Sequence, residues 1–323
     1  MNYFITGGAG FIGSSIADVL AKDPQNRITI YDNMSTGYEE FLIELRHKEN
    51  IQVVNGDLLD ENKLNKAIIG SNFVFHFAAN ADVRFGLQHP RKDLEQNTIV
   101  THNVLEAMRL NGIKKIAFSS TGSVYGEAAK IPTPEDCPFP IQTSLYASSK
   151  LAGEALISSY CEGFGFTGYI FRFVSILGER YTHGHVFDFY KQLMENPTEL
   201  KILGNGKQRK SYLYIKDCIS AMLTVIQKAD SHVNIYNLGT DEYCEVNQSV
   251  QWICEYLGLN PNLVYSGGER GWVGDNPFIF LDCSKLKQLD WNAKITIKDA
   301  VIKTVQFIEN NKWVYKNSRS ARE

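Results

Sequence analysis

Apolar residues along this chain come in short runs, separated by stretches in which they recur every three or four positions. The runs at 3–6, 27–31, 51–54, 73–77, 115–119 and 168–173 read as strands. Between them, 13–21, 39–48, 62–69, 98–110 and 145–164 carry helical spacing. Strands that are apolar along their whole length are buried on both faces, and their alternation with helices makes them parallel. Right-handed crossovers then give an α/β fold built on a doubly wound parallel sheet. After residue 173 the pattern loosens. Helical spacing returns at 186–194, 215–228 and 246–257, interrupted by loops rich in Gly, Asn and Pro at 204–210 and 267–276. The expected organisation is a first domain over 1–173 and a smaller mixed α/β lobe over 174–323, with some later segments returning to the sheet. The polar tail 316–323 reads as frayed.

Composition removes several function classes. The 323 residues are 44% hydrophobic and 21% charged, ordinary values for a folded domain, and the net charge of −3 offers no general surface for a polyanion. Nucleic acid is therefore not an expected partner. Cysteines at 137, 161, 218, 244, 254 and 283 include no C-x-x-C pair and read as reduced thiols of a cytoplasmic protein. No apolar run reaches the roughly 20 residues that a spanning helix needs, so no membrane is expected. The opening Met1-Asn2-Tyr3-Phe4-Ile5-Thr6 lacks the basic region of a signal peptide and reads as a buried strand.

The first candidate chemistry comes directly after that strand. Gly7-Gly8-Ala9-Gly10-Phe11-Ile12-Gly13 has the G-x-x-G-x-x-G spacing of a dinucleotide cradle between a strand and a helix, the context of a Rossmann domain. Gly7 permits the tight turn, Gly10 lets a pyrophosphate approach the backbone, and Gly13 lets the helix pack on the strand. The helix N-terminus offers N–H groups to the anion. The next strand ends on Tyr31-Asp32-Asn33, where a carboxylate meets the adenosine ribose and repels a 2′-phosphate. No arginine occurs in the adjoining Met34-Ser35-Thr36-Gly37, so NAD is expected over NADP. Asp57-Leu58 after the third strand and Phe77-Ala78-Ala79 after the fourth complete the strand ends that a dinucleotide touches.

Tyr146-Ala147-Ser148-Ser149-Lys150 places a phenol and an ammonium at i and i+4 on one helix face. A free tyrosine, with a pKa near ~10, is a poor base at neutral pH. A neighbouring lysine favours the phenolate and lowers that value. A hydroxyl at the end of the preceding strand would complete the set, and Thr121 lies 25 residues before Tyr146.

Together these residues resemble the extended short-chain dehydrogenases/reductases, within them the NAD-dependent nucleotide-sugar epimerases and dehydratases, and there the UDP-glucose 4-epimerase branch most of all. The resemblance rests on Thr6 through Gly13, His76-Phe77-Ala78-Ala79, Ser119-Ser120-Thr121, Val124-Tyr125-Gly126, Tyr146 and Lys150 with Leu151-Ala152-Gly153-Glu154, and Tyr214-Ile215-Lys216-Asp217. It implies that the later lobe binds a nucleotide sugar. It extends the cofactor set to Phe11, Ile12, Asn33, Ser35, Thr36, Gly37, Asp57, Leu58, Asn97, Ser119 and Phe173. It implies oxidation of the sugar at C4, with Tyr146 as base, Thr121 beside it and Lys150 on the nicotinamide ribose. A transient 4-keto sugar would then regain hydride from bound NADH.

The step after oxidation separates the branches. A dehydratase needs a further acid and base, and carries an Asp-Glu pair where this chain has Gly122 and Ser123; a decarboxylase carries glutamate at Ser123. A 4-epimerase needs neither, so the expected activity is a UDP-hexose 4-epimerase acting on UDP-glucose and UDP-galactose or their N-acetyl forms. A dehydratase or decarboxylase is the alternative, and a non-catalytic NAD-binding regulator a more distant one. For the substrate, the resemblance points to Arg84, Thr121, Ser123, Tyr146, Ser175, Arg209, Lys210, Arg270 and Asp275. Ser175 stands where the family commonly has asparagine, Lys210 where it usually has arginine, and Arg270 is two residues out of register with Gly274-Asp275. His183 and His185 lack further ligands at good spacing, so no metal is expected. The helices over 98–110 and 145–164 carry apolar residues beyond what one sheet needs, and the resemblance implies that they pair across a two-fold axis in a homodimer.

Overall fold

The strand Asn2–Thr6 is buried over its last three residues and pairs in parallel with Arg27–Asp32 on one side and Phe73–His76 on the other. The computed structural model describes residues 1–316 apart from 84, 140, 272–275 and 277. Two compact units emerge from the contact pattern.

The first unit comprises 1–124, 144–172 and 222–236. Its centre is a seven-stranded parallel sheet in the order Val233–Leu238, Thr167–Phe173, Lys115–Thr121, Phe73–His76, Asn2–Thr6, Arg27–Asp32, Ile51–Asn55. The outer ends of Val233–Leu238 and Thr167–Phe173 already belong to the second unit. The chain builds outward from Asn2–Thr6 to Ile51–Asn55, then returns to the other side of the first strand with Phe73–His76. That reversal opens a crevice at the carboxyl ends of these two strands, where doubly wound sheets bind ligands. Phe4, Val74, Val104, Leu105, Met108, Ile116, Phe118 and Ile157 form a continuous core against the sheet, each contributing about 1.5–3 kcal/mol by leaving water. The helix Leu145–Phe164 is bounded by local chemistry. The Ser144 hydroxyl accepts from the Ala147 N–H at 3.1 Å, and Gly165 closes the helix at φ +64°.

Two elements depart from the spacing-based expectation. The helix expected over 98–110 begins earlier, with Pro90–Asp93 and a π-helical turn at Leu94–Ile99, and becomes α-helical only at Val100–Leu110. Pro90 at the first helical position, with its fixed φ and missing N–H, starts that segment. The stretch 39–48 forms a 3₁₀ turn, Glu39–Leu42, and one α turn, Ile43–Arg46.

The second unit comprises 125–143, 173–221 and 237–323. It is built from small sheets: Ser175–Leu177 beside Tyr212–Tyr214, Glu199–Ile202 beside Asn262–Tyr265, and Arg209–Lys210 between Cys244–Glu245 and Phe278–Ile279. The helices His185–Glu195, Val246–Leu257 and Ile297–Asn310 pack with them. The contact pattern therefore does not divide the chain at one break at 173/174. The segment 125–143 belongs with the later chain because backbone bonds bind it there: Thr133 N–H donates to Phe280 at 2.9 Å and Asp282 N–H to Thr133 at 2.9 Å. Asn237 adds amide bonds to Thr133 and Asp282. Such long-range pairing leaves no mark in local periodicity. Among the described residues, no helix is long and apolar enough to cross a membrane.

Candidate active site

The cradle forms at the crevice of the first unit. Gly7 adopts φ +65°, the left-handed region that glycine enters without strain, and a Cβ on it would lie 2.6 Å from Ala78 N. A Cβ on Gly13 would collide with the Gly7 carbonyl. Gly10 caps the helix Phe11–Leu20 in an extended conformation with no side-chain cap bond. At Gly7 and Gly13 backbone packs on backbone too closely for any Cβ, which keeps the turn bare of side chains where the N–H groups of a helix N-terminus can meet a pyrophosphate. Asp32 is buried at the end of its strand; its carboxylate accepts from Ala9 N–H and Met34 N–H, each at 2.9 Å. Burial raises its pKa, while these two bonds oppose the shift. Met34 itself sits at φ +60°, an uncommon conformation for a non-glycine residue. Gly37 lies against Asp32, whereas Ser35 and Thr36 are exposed.

The adenine-side residues form one loop network. Asn33 donates to Asp57 Oδ2 at 3.0 Å and accepts from the Ser35 N–H and hydroxyl. Leu58 lies in the core, and its carbonyl accepts from Asn103 at 3.0 Å. Phe77, Ala78 and Ala79 are partly exposed at the end of the fourth strand. These residues fit NAD: a glycine cradle, a ribose-facing acid and small residues at the nicotinamide end.

Tyr146 and Lys150 lie on the helix Leu145–Phe164 above the end of Lys115–Thr121. Thr121 hydrogen-bonds the Tyr146 phenol, and its oxygen also receives the Ser123 N–H at 3.1 Å. The Lys150 ammonium is buried, donates to the Ser119 carbonyl at 2.8 Å and stands 4.8 Å from the centre of the Phe118 ring. Electrostatics here differ from the expectation that Lys150 depresses the phenol. Burial pushes Tyr146 up to about 12; the Thr121 bond opposes this and the Asp93 carboxyl adds to it. Burial likewise draws Lys150 down to about 7, against the pull of Asp93 and Glu154. The dominant effect on both groups is loss of water.

Three side chains support this pair, and two of them, Glu154 and His76, have no role assigned from sequence. Glu154, at i+4 from Lys150, takes a bidentate pair from Arg172, with Nη2–Oε2 at 2.7 Å and Nε–Oε1 at 3.0 Å, and a hydrogen bond from Ser120. It joins the helix Leu145–Phe164 to the strands Lys115–Thr121 and Thr167–Phe173. Its helical spacing from Lys150 was the signal. His76 is fully buried between Thr6 and Thr101, at 2.7 and 2.9 Å. Burial holds it neutral, its pKa lowered to about 3. Thr101 donates its only proton to the Asn97 carbonyl at 2.5 Å, so His76 Nε2 carries the ring proton and Nδ1 accepts from Thr6. Thr6 in turn accepts from the Ala78 N–H at 3.3 Å. Asn97 receives the Asn80 N–H at 2.8 Å and donates to Ser149 at 2.8 Å. Its amide therefore ties the loop after the fourth strand to the catalytic helix.

In the second unit, Lys210 donates to the Asn276 carbonyl at 2.8 Å, and the Arg209 guanidinium lies 3.9 Å from the Phe278 ring centre and 5.7 Å from that of Tyr243. Ser175 is exposed at the start of its strand, paired in register with Tyr212. Phe173 is buried. Arg270 pairs with Glu127, both half-exposed. Arg84 and Asp275 lie outside the described residues. His185 is held by Ser249 at 2.8 Å and Tyr212 at 3.1 Å, and His183 stacks on Tyr181. No group of three or more metal-ligating side chains occurs among the described residues.

Residues 3–239 match the model of the NAD dependent epimerase/dehydratase family. The chain belongs to that family. It is an enzyme family whose cofactor is NAD, in agreement with the cradle. One similar solved structure is a UDP-galactose 4-epimerase, 34% identical, covering 97% of this chain and 100% of its own, with a TM-score of 0.87. Another is the UDP-glucuronic acid 4-epimerase of Bacillus cereus in complex with UDP-glucuronic acid and NAD, 25% identical over 96% of this chain and 100% of its own, with a TM-score of 0.89. The dTDP-D-glucose 4,6-dehydratase of Mus musculus is 28% identical over 99% of this chain and 92% of its own. The relatives thus span both reactions of the family.

Proposed function

We propose that the protein is a UDP-hexose 4-epimerase, acting on UDP-glucose and UDP-galactose or their N-acetyl forms. The observation that carries this reading is the company Tyr146 keeps: Thr121 and Lys150 are in place, and the next residues after Thr121 are Gly122 and Ser123. Tyr146 takes the C4 hydroxyl proton and later returns it. Thr121 holds the phenol and the substrate oxygen, and Lys150 keeps positive charge beside the forming phenolate. NAD, when bound, supplies the hydride acceptor and donor for C4. Dehydration requires a proton transfer at C5 and loss of water from C6, and neither Gly122 nor Ser123 carries an acid or base for it. Lys210, Arg209 and Ser175 are the proposed diphosphate contacts, with Arg84, Arg270 and Asp275 as further ones. Exposed Leu94, Ile99, Leu145 and Phe164 favour a homodimer through those helices.

Chromatography of the nucleotide products from a panel of UDP-hexoses tests the reading. The expected result is an epimeric UDP-hexose of unchanged mass from at least one substrate, with NAD bound to the purified protein. Loss of water or carbon dioxide from the sugar, or no turnover of any UDP-hexose by NAD-loaded protein, overturns it.

A further inference from the structure

Asp93 is among the most buried acids of the molecule, yet none of the residues that carry the family's chemistry accounts for it. It ends the short helix Pro90–Asp93, just before the π-helical turn. Its Oδ1 accepts from Asn80 at 2.9 Å and from Asn97 at 3.2 Å. Its Oδ2 is buried with no hydrogen-bond partner among the described residues. Gly86 makes room for that oxygen. A Cβ there would collide with Oδ2 and stand 3.7 Å from the Cβ of Leu145, the first residue of the catalytic helix. A buried carboxylate with one bare oxygen is costly unless a nearby charge or function retains it.

The bonds run on in both directions. Asn80 and Asn97 fix the segment beyond Phe77-Ala78-Ala79, and Asn97 passes to Ser149, which donates to the Tyr146 carbonyl at 2.8 Å. The π-helical turn is what aims Asn97 inward, since an extra residue per turn breaks the α-helical ladder there. Among the described residues, the charged groups around Asp93 are Asp82 and Lys150. Around Lys150 they are Asp93, Glu154 on its own helix and the neutral His76. Glu154 already holds Arg172. Among the described residues Asp93 has no arginine partner, unlike Glu154.

We propose that Asp93 is a positioning residue for the reaction: through Asn80 and Asn97 it fixes the nicotinamide-side loop against the Tyr146 helix. This rests on the reading of Tyr146 and Lys150 as the working pair. The direction of its effect on Lys150 is upward, against burial. Removing the charge therefore lets Lys150 lose its proton at lower pH.

The test is Asp93→Asn, with Ser149→Ala as a second variant that cuts the chain of bonds and keeps the charge. Protein labelled with [ε-¹³C]lysine, with the resonance identified by Lys150→Met, gives the Lys150 titration directly. The expected result for Asp93→Asn is a midpoint at least half a pH unit lower, with the alkaline limb of kcat/KM moving the same way. In Ser149→Ala, kcat falls several-fold with the limb unmoved and KM within about twofold. A wild-type Lys150 midpoint and alkaline limb in folded Asp93→Asn, or wild-type kcat in Ser149→Ala, overturns the positioning. Should Asp93→Asn fail to fold, Ser149→Ala decides alone. Tyr146→Phe assayed alongside separates the two readings: turnover in that variant overturns the base itself, whereas its inactivity beside unchanged Asp93→Asn and Ser149→Ala overturns only the role of Asp93.

Discussion

The candidate residues of the two units are held in opposite ways. In the first, Thr6, His76, Asn97, Ser149, Lys150 and Glu154 are buried, and each finds partners within the same interior network. In the second, the candidate cations Arg209 and Arg270 are exposed and lean on surface rings or a surface acid. A parallel sheet explains the first pattern. Its strand ends converge at one crevice, so residues far apart in sequence meet at fixed distances. Buried polar groups must then be satisfied, which locks them. Arg209, on a two-residue strand, and Arg270, in a loop, are exposed and keep the rotamer freedom that the buried groups lose. The first unit thus fixes its candidate groups by burial, and the second leaves its candidate cations in contact with water.

The largest effect expected is on turnover from within the buried network. Tyr146→Phe should lower kcat by roughly 10²–10⁴-fold, the usual worth of a positioned base, while nucleotide chromatography still finds bound NAD. Retained turnover would break the assignment of chemistry to the first unit.

Next comes a matched pair of stability changes. Glu154→Leu leaves Arg172 buried without its carboxylate and should cost about 3–5 kcal/mol in chemical denaturation. Glu127→Gln removes the exposed partner of Arg270 and should cost about 1 kcal/mol or less. Equal costs would erase the distinction between the two regions.

The smallest effect sharpens the second unit's role. Lys210→Met should raise KM for the UDP-sugar by roughly tenfold, the scale of one charge-assisted hydrogen bond, with kcat within about twofold in steady-state assays. A fall in kcat at constant KM would move Lys210 into the chemistry.

Much of this was legible in order and spacing. The strand–helix alternation, the glycine run, Asp32 and the i, i+4 placement of Tyr146 and Lys150 are local patterns, and local sterics and periodicity fix them wherever the chain goes. The helices Leu145–Phe164 and Val246–Leu257 obey their spacing because caps and apolar faces agree. Other features depend on partners distant in sequence. The segment 125–143 joins residues 237 and beyond through backbone pairing. Arg209–Lys210, in a stretch that reads as a loop, becomes a strand because Cys244–Glu245 and Phe278–Ile279 flank it. The π-helical turn that aims Asn97, and the burial that drives Tyr146 up and Lys150 down, arise only when the sheet, the loop and the helix close on one another. The sequence by itself determined which groups are the candidates for the chemistry. Only the tertiary structure decided how far water is excluded from them, because desolvation is a property of everything packed around a group and of no residue alone.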